Sequence, residues 1–174
     1  MRIIRVGDQP DVPWKNGGGT TRELLSAPSG SSGFDWRISV ATIAKPGPFS
    51  SFPGVDRTLI GLAGEGRLRI SGRMENVAPG SVIRFAGDEA VMALVGQEPI
   101  LVLNIMTANG WRQEIGTSQR ARVIDGSPGG TRTFAVLAGG RDSSFRPGDL
   151  ILGIDDEKEL GDVSAIGINL IKPE

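Results

Sequence analysis

Glycine and proline recur so densely, 26 and 11 times in 174 residues, that few stretches are left in which an ordinary helix could run. Glycine weakens a helix interior and proline breaks it, whereas both suit the turns between short strands. The chain is therefore predicted to be all-β, with many short strands joined by turns. Residues 34–43 carry the clearest pattern. Phe34, Trp36, Ile38 and Val40 fall on one face and Asp35, Arg37 and Ser39 on the other, the alternation of a half-buried strand, so Arg37 points away from Trp36. Strands are expected at residues 57–63, 67–71, 81–85 and 90–95, with turns at Gly64-Glu65-Gly66 and Ser71-Gly72. Residues 100–106 are apolar enough to be buried on both faces.

Elsewhere the pattern is weaker. Residues 2–6 read as an edge strand and residues 27–33 as an exposed loop. Residues 111–115 fit a strand or a helical turn, and residues 133–138, 149–154 and 165–171 fit strands. Residues 125–130 read as a loop, and the charge run 155–159 as a solvated loop or short helix. Ala78-Pro79-Gly80-Ser81-Val82 is echoed by Arg146-Pro147-Gly148-Asp149-Leu150. The echo implies two lobes built alike, residues 1–108 and 109–174, packed as one compact unit.

Composition narrows the function classes. A formal net charge of −1 provides no long-range attraction to nucleic acid or to an anionic membrane. The chain holds no cysteine and no histidine, which removes disulfides, thiolate nucleophiles and imidazole bases or ligands together. The first residues leave no room for a secretory hydrophobic region, so a cytoplasmic location is expected. No cofactor and no transition metal are expected. A hard cation held by Asp56, Glu23 and hydroxyls is the remaining metal alternative.

The stretch from Pro13 to Glu23 concentrates binding chemistry: Trp14, Lys15, Asn16, Thr20, Thr21, Arg22 and Glu23 surround three consecutive glycines, where backbone can approach a ligand closely. The spacing of a phosphate-binding P-loop is absent. Lys15, Arg22, Arg37 and Arg57 are candidate anchors for an anion. A buried pair of them demands either Glu23 and Asp56 or a bound anion. Arg57, following the Pro53-Gly54 turn, is the preferred rigid anchor, with Lys15 converging on the same anion beside Trp14. Phe49 and Phe52 flank Ser50-Ser51 as rim residues, and Asn104 is an amide inside an apolar strand that must find partners. Thr20, Thr42 and Ser50 are candidate hydroxyl donors, whereas Arg141 and Arg146 are expected to matter little.

Residues 13–23, the strand at 34–43, Gly47-Pro48-Phe49-Ser50 with Phe52-Pro53-Gly54-Val55-Asp56-Arg57, and Leu103-Asn104-Ile105-Met106 together resemble the signature blocks of the HutD/Ves family. The resemblance implies a cupin, RmlC-like jelly roll, as a bicupin with an antiparallel β-barrel in each lobe. It also implies a non-enzymatic binding or regulatory protein for a small anionic metabolite, linked to histidine utilisation, with N-formylglutamate as a candidate ligand, or to stress responses. The alternative is a metal-free cupin enzyme, an isomerase, lyase or amide hydrolase, with Glu23 or Asp56 as general base and Lys15 stabilising charge. The expected partners are the metabolite and, as a homodimer, a second copy of the chain.

Overall fold

The computed structural model describes residues 2–29, 33–118, 132–140, 145–152 and 163–173. The expected loops at 125–130 and 155–159, the centre of the loop at 27–33, and Arg141 lie outside the described residues. Among those described, the only helical turn is a 3-10 turn at Val6–Asp8, and all else that is regular is strand. In chain order the strands are β1 (Arg2–Ile4), β2 (Val12–Pro13), β3 (Gly19–Ala27), β4 (Trp36–Ile43), β5 (Gly47–Pro48), β6 (Asp56–Ala63), β7 (Gly66–Ile70) and β8 (Arg73–Val77). They continue as β9 (Val82–Ala86), β10 (Val91–Val95), β11 (Ile100–Thr107), β12 (Arg112–Ser118), β13 (Arg132–Gly140), β14 (Leu150–Leu152) and β15 (Val163–Ile171). The segment that fitted either a strand or a helical turn is thus the strand β12.

The chain divides into two units, Gln9–Asn109 and Met1–Asp8 with Gly110–Glu174. The first unit is two antiparallel sheets, ordered β2-β3-β4-β11-β6-β9 and β5-β10-β7-β8. Their facing sides share one core, to which the larger sheet gives Ala41, Ile43, Leu59, Ile83, Phe85, Ile100 and Val102, and the smaller gives Leu68, Ile70, Val91, Ala93 and Val95. This is the all-β cupin jelly roll. Hairpin chemistry sets its registers: Ser71 and Gly72 both take positive φ, at 45° and 91°, in a two-residue turn that pairs Ile70 with Arg73.

The second unit contains an antiparallel sheet ordered β1-β14-β13-β15-β12. The opening strand was expected in the N-terminal lobe, but β1 pairs with β14, Ile3 opposite Ile151, and so lies with the C-terminal residues. Asp149 explains the hold. Its side chain is 1% exposed and accepts hydrogen bonds from the Val6 N–H at 2.9 Å, the Arg146 N–H at 3.1 Å and Arg5 Nη1 at 2.9 Å. The Pro-Gly turn that echoes the first unit thereby carries the carboxylate that fastens the N-terminal segment.

Two corrections concern the strands that build the site. The strand β4, which pairs with β3 on one side and β11 on the other, is buried on both faces rather than on one. Its inner face, shared with the core residues Ala41 and Ile43, is the Arg37-Ser39 face. The strand β3 was not expected at all. A bulge between Glu23 and Leu25 shifts its alternation, so no period-2 pattern is visible along Gly19–Ala27.

Between β5 and β6 the chain crosses one end of the barrel. Phe52 N–H donates to Gly87 C=O at 2.7 Å and Gly87 N–H donates to Val55 C=O at 2.6 Å, clamping this crossing to the β9–β10 turn. A Cβ on Gly87 would collide with the carbonyl oxygens of Phe52 and Val55, both backbone atoms without a rotamer to escape into. Gly87→Ala is therefore expected to lower stability by about 1–3 kcal/mol, the usual range for overpacking, and to displace Phe52. Unfolding in urea with an unchanged midpoint would contradict the close packing.

Candidate functional site

Strand pairing arranges the inner face of the larger sheet in rungs. Arg37, Met106, Arg57 and Phe85 lie opposite one another across β4, β11, β6 and β9. The next rung is Ser39, Asn104, Leu59 and Ile83, with the exposed Glu23 beside it on β3, and the one after it contains Thr21, Ala41, Val102 and Gly61. Charge, neutral polarity and apolar floor thus follow in order from the end where the 49–55 crossing lies. Leu59, Ile83, Ala41 and Val102 belong to the main core, and Phe34, Val55, Met106 and Ala108 form a smaller apolar cluster at the charged end, with Phe52 packed on it.

Arg57 is 6% exposed. Its Nη1 donates to Ser50 C=O and its Nη2 to Asn104 Oδ1, both at 3.3 Å. Its guanidinium lies 4.9 Å from the ring centroid of Phe85, 5.3 Å from Phe49 and 5.5 Å from Phe52. Arg37 lies 5.3 Å from Phe34 and 5.5 Å from the same Phe52, and its Nη2 reaches Met106 Sδ at 3.6 Å. Both guanidinium groups thus lie against Phe52, and neither has a carboxylate within ion-pair distance among the described residues. The Nε atoms of both are buried without a hydrogen-bond partner.

The energetics of this arrangement are incomplete on the protein's own atoms. Each cation–ring contact contributes about 0.5–2 kcal/mol, which stands against a desolvation penalty of several kcal/mol per buried ion. Aromatic faces therefore offset much of the cost but leave N–H donors unused. Burial, and then the charge of Arg37, pull the pKa of Arg57 down to about 10. Arg37 is lowered by burial and partly restored by the charge of Glu23. Both remain cationic at neutral pH. A site with two cations, free in-plane donors and apolar walls is suited to a small oxyanion that bridges them.

The sequence candidates divide around this centre. Arg37, Phe49, Phe52, Arg57 and Asn104 come together, with Ser50 contributing its carbonyl. Trp14 supports the cluster from behind: its Nε1 donates to Thr21 Oγ1 at 2.8 Å and its ring meets Phe49 edge-on at 5.6 Å. Asn16 fastens its own loop instead, donating to Pro48 C=O and accepting from Gly18 N–H, both at 2.9 Å. Thr20 and Arg22 are occupied with Asp11, whose pKa is lowered first by the hydrogen bond from Thr20 and then by that from Arg22. Lys15 is exposed, so the cation facing Arg57 is Arg37 and not Lys15. Glu23 is exposed and accepts a 2.7 Å hydrogen bond from Ser26, and Asp56 is exposed.

Sequence reasoning missed Phe34, Ser39, Phe85 and Met106 as site residues. The alternation through residues 34–40 did place Arg37 and Ser39 on one face. Only the register with β11 and β6 shows that this face meets Asn104 and Arg57. A separate open depression of about 600 Å³, lined by Glu65, Arg67, Asn76 and Gly96 among others, lies beyond the other end of β6. No buried unpartnered polar atom among the described residues lines it, so it makes the weaker candidate.

If the two guanidiniums sense each other, replacing one must move the other. In Arg37→Gln the Arg57 guanidinium is expected to titrate above about 10, returning only part of the way toward the ordinary arginine range because burial is the larger cause. Carbon-detected NMR of arginine Cζ checks this, and an unchanged titration would show that the pair is not coupled.

The likeness to known proteins agrees with this architecture. A family model described as HutD matches residues 7–141. Protein Ves of Citrobacter koseri is 33% identical over 181 residues, covering 100% of this chain and 90% of Ves. An uncharacterized 21.2 kDa protein in the hutC 3' region of Pseudomonas putida is 38% identical over 94 residues, a match that covers 52% of this chain and 50% of that relative. The solved structure of HutD from Pseudomonas fluorescens SBW25 superposes with a TM-score of 0.76 at 25% identity, over 99% of both chains. With matches that span most of its length, the chain belongs to the HutD/Ves family.

Proposed function

We propose that this protein binds a small anionic metabolite, with the ligand's carboxylate gripped by Arg37 and Arg57, and that it acts as a binding or regulatory protein. The observation that carries this reading is the pair of buried guanidiniums whose Nε atoms have no partner and which share one aromatic enclosure. A carboxylate has the planar, two-oxygen edge that such donors fit, and its charge relieves the repulsion between them. Membership of the HutD/Ves family, with one relative in a hutC 3' region, supports a role connected with histidine utilisation and makes N-formylglutamate the first ligand to try. The enzymatic alternative needs Glu23 or Asp56 held against the ligand as a general base. Both are exposed, and Glu23 already accepts from Ser26, so no observation favours that reading.

Calorimetric titration with N-formylglutamate, glutamate and short carboxylates tests the proposal. Arg57→Ala is expected to remove charge-assisted bonds worth roughly 1.5–3 kcal/mol, a tenfold to hundredfold loss of affinity. Arg57→Lys should not restore it, because an ammonium lacks the in-plane fork. The pH dependence has a definite sign. Anion binding needs the charged guanidinium, which is kept below its pKa and lost above it, so affinity should fall as pH rises through about 10. With no histidine in the chain, it should stay level from pH ~6 to ~9 for a ligand already ionised. An isotherm unchanged in Arg57→Ala would refute the site.

A further inference from the structure

The rung beneath the arginines holds a second set of unused donors. Ser39 is 1% exposed and its Oγ is buried with no hydrogen-bond partner. It lies directly opposite Asn104 in the β4–β11 register, on the inner face that Arg37 shares. Asn104, 6% exposed, gives its Oδ1 to Arg57, which leaves its Nδ2 as a donor held in a fixed direction. An orphaned hydroxyl beside an oriented amide is costly to bury unless something occupies both. Neither group carries charge, so a second carboxylate at this depth would be buried without a cation of its own, the nearby Arg57 being engaged by the first.

We infer that Ser39 and Asn104 form a neutral subsite that takes an uncharged oxygen of the ligand, a carbonyl or hydroxyl, while the arginine pair takes its carboxylate. This rests on the proposed carboxylate site and adds what selects among carboxylates. Successive rungs on one face of a strand are about 7 Å apart. The ligand is therefore a short carboxylate with a neutral oxygen several bonds away, entering past Phe52, which lies over both guanidiniums and is itself partly exposed. A dicarboxylate of the same length would bury its second charge among neutral donors. An aliphatic acid would leave Ser39 unpartnered.

Three probes of nearly equal shape separate these cases: glutaramate, glutarate and 5-methylhexanoate, titrated against the wild-type protein, Ser39→Ala and Arg57→Ala. Wild type should bind glutaramate more tightly than glutarate. Ser39→Ala should weaken glutaramate about tenfold and leave 5-methylhexanoate within about twofold of wild type. Arg57→Ala should weaken all three. Without ligand, Ser39→Ala should melt no lower than wild type, because it deletes an unsatisfied buried hydroxyl, whereas a hydroxyl with a structural role would lower the melting temperature on removal. Equal effects of Ser39→Ala on glutaramate and 5-methylhexanoate, or none on either, would overturn the neutral subsite and leave the arginine site standing. Insensitivity of all three to Arg57→Ala, or no binding of glutaramate to the wild type, would overturn both.

Discussion

Two like charges held in one apolar enclosure set the terms for the mouth of this barrel. Arg57 cannot be buried there without something to take its N–H groups, and the chain supplies a carbonyl from Ser50, an amide oxygen from Asn104 and the faces of three phenylalanines. These partners come from different places in the sequence. Ser50, Phe49 and Phe52 belong to the crossing that Gly87 clamps, Asn104 to the central strand β11, and Phe85 to the edge strand β9. The local structure can thus be understood as the means of holding two cations that remain short of an anion.

The sheet provides the depth of the site. Because side chains on one face recur every second residue, a run such as Asn104 and Met106 on β11 sits in two successive rungs with its neighbours on β4 and β6. The charged rung lies nearest the crossing, the neutral polar rung follows, and the apolar core closes the floor. An interior graded in this way discriminates by position: a ligand must present charge, neutral oxygen and apolar bulk in the right order along its length. The rigidity of β11, buried on both faces and paired on both sides, keeps that order fixed.

Much of the fold was legible in the residues. The turn chemistry of Ser71-Gly72, the apolar run of β11 and the alternation through β4 each announce a strand by local rules. What could not be read locally is pairing. The bulge at Glu23 and Leu25 hid β3, and the union of β1 with β14 depends on a side chain, Asp149, far away in sequence. The same limit applies to the site. Arg57 and Asn104 could be singled out as a cation after a rigid turn and an amide in an apolar strand. Their meeting, and the replacement of Lys15 by Arg37 as the second cation, follow from strand register, which no single segment encodes.

The central claim is a position in space, so the most direct measurement is a crystal structure of the protein soaked with a brominated short carboxylate, with the anomalous signal locating the halogen. The account predicts the carboxylate between Arg37 and Arg57, its oxygens on their Nε and Nη atoms, with Phe52 displaced to admit it. A carboxylate found instead on Lys15 and Arg22, in the depression near Arg67, or on the sheet formed by β1 and β12 to β15 would contradict it.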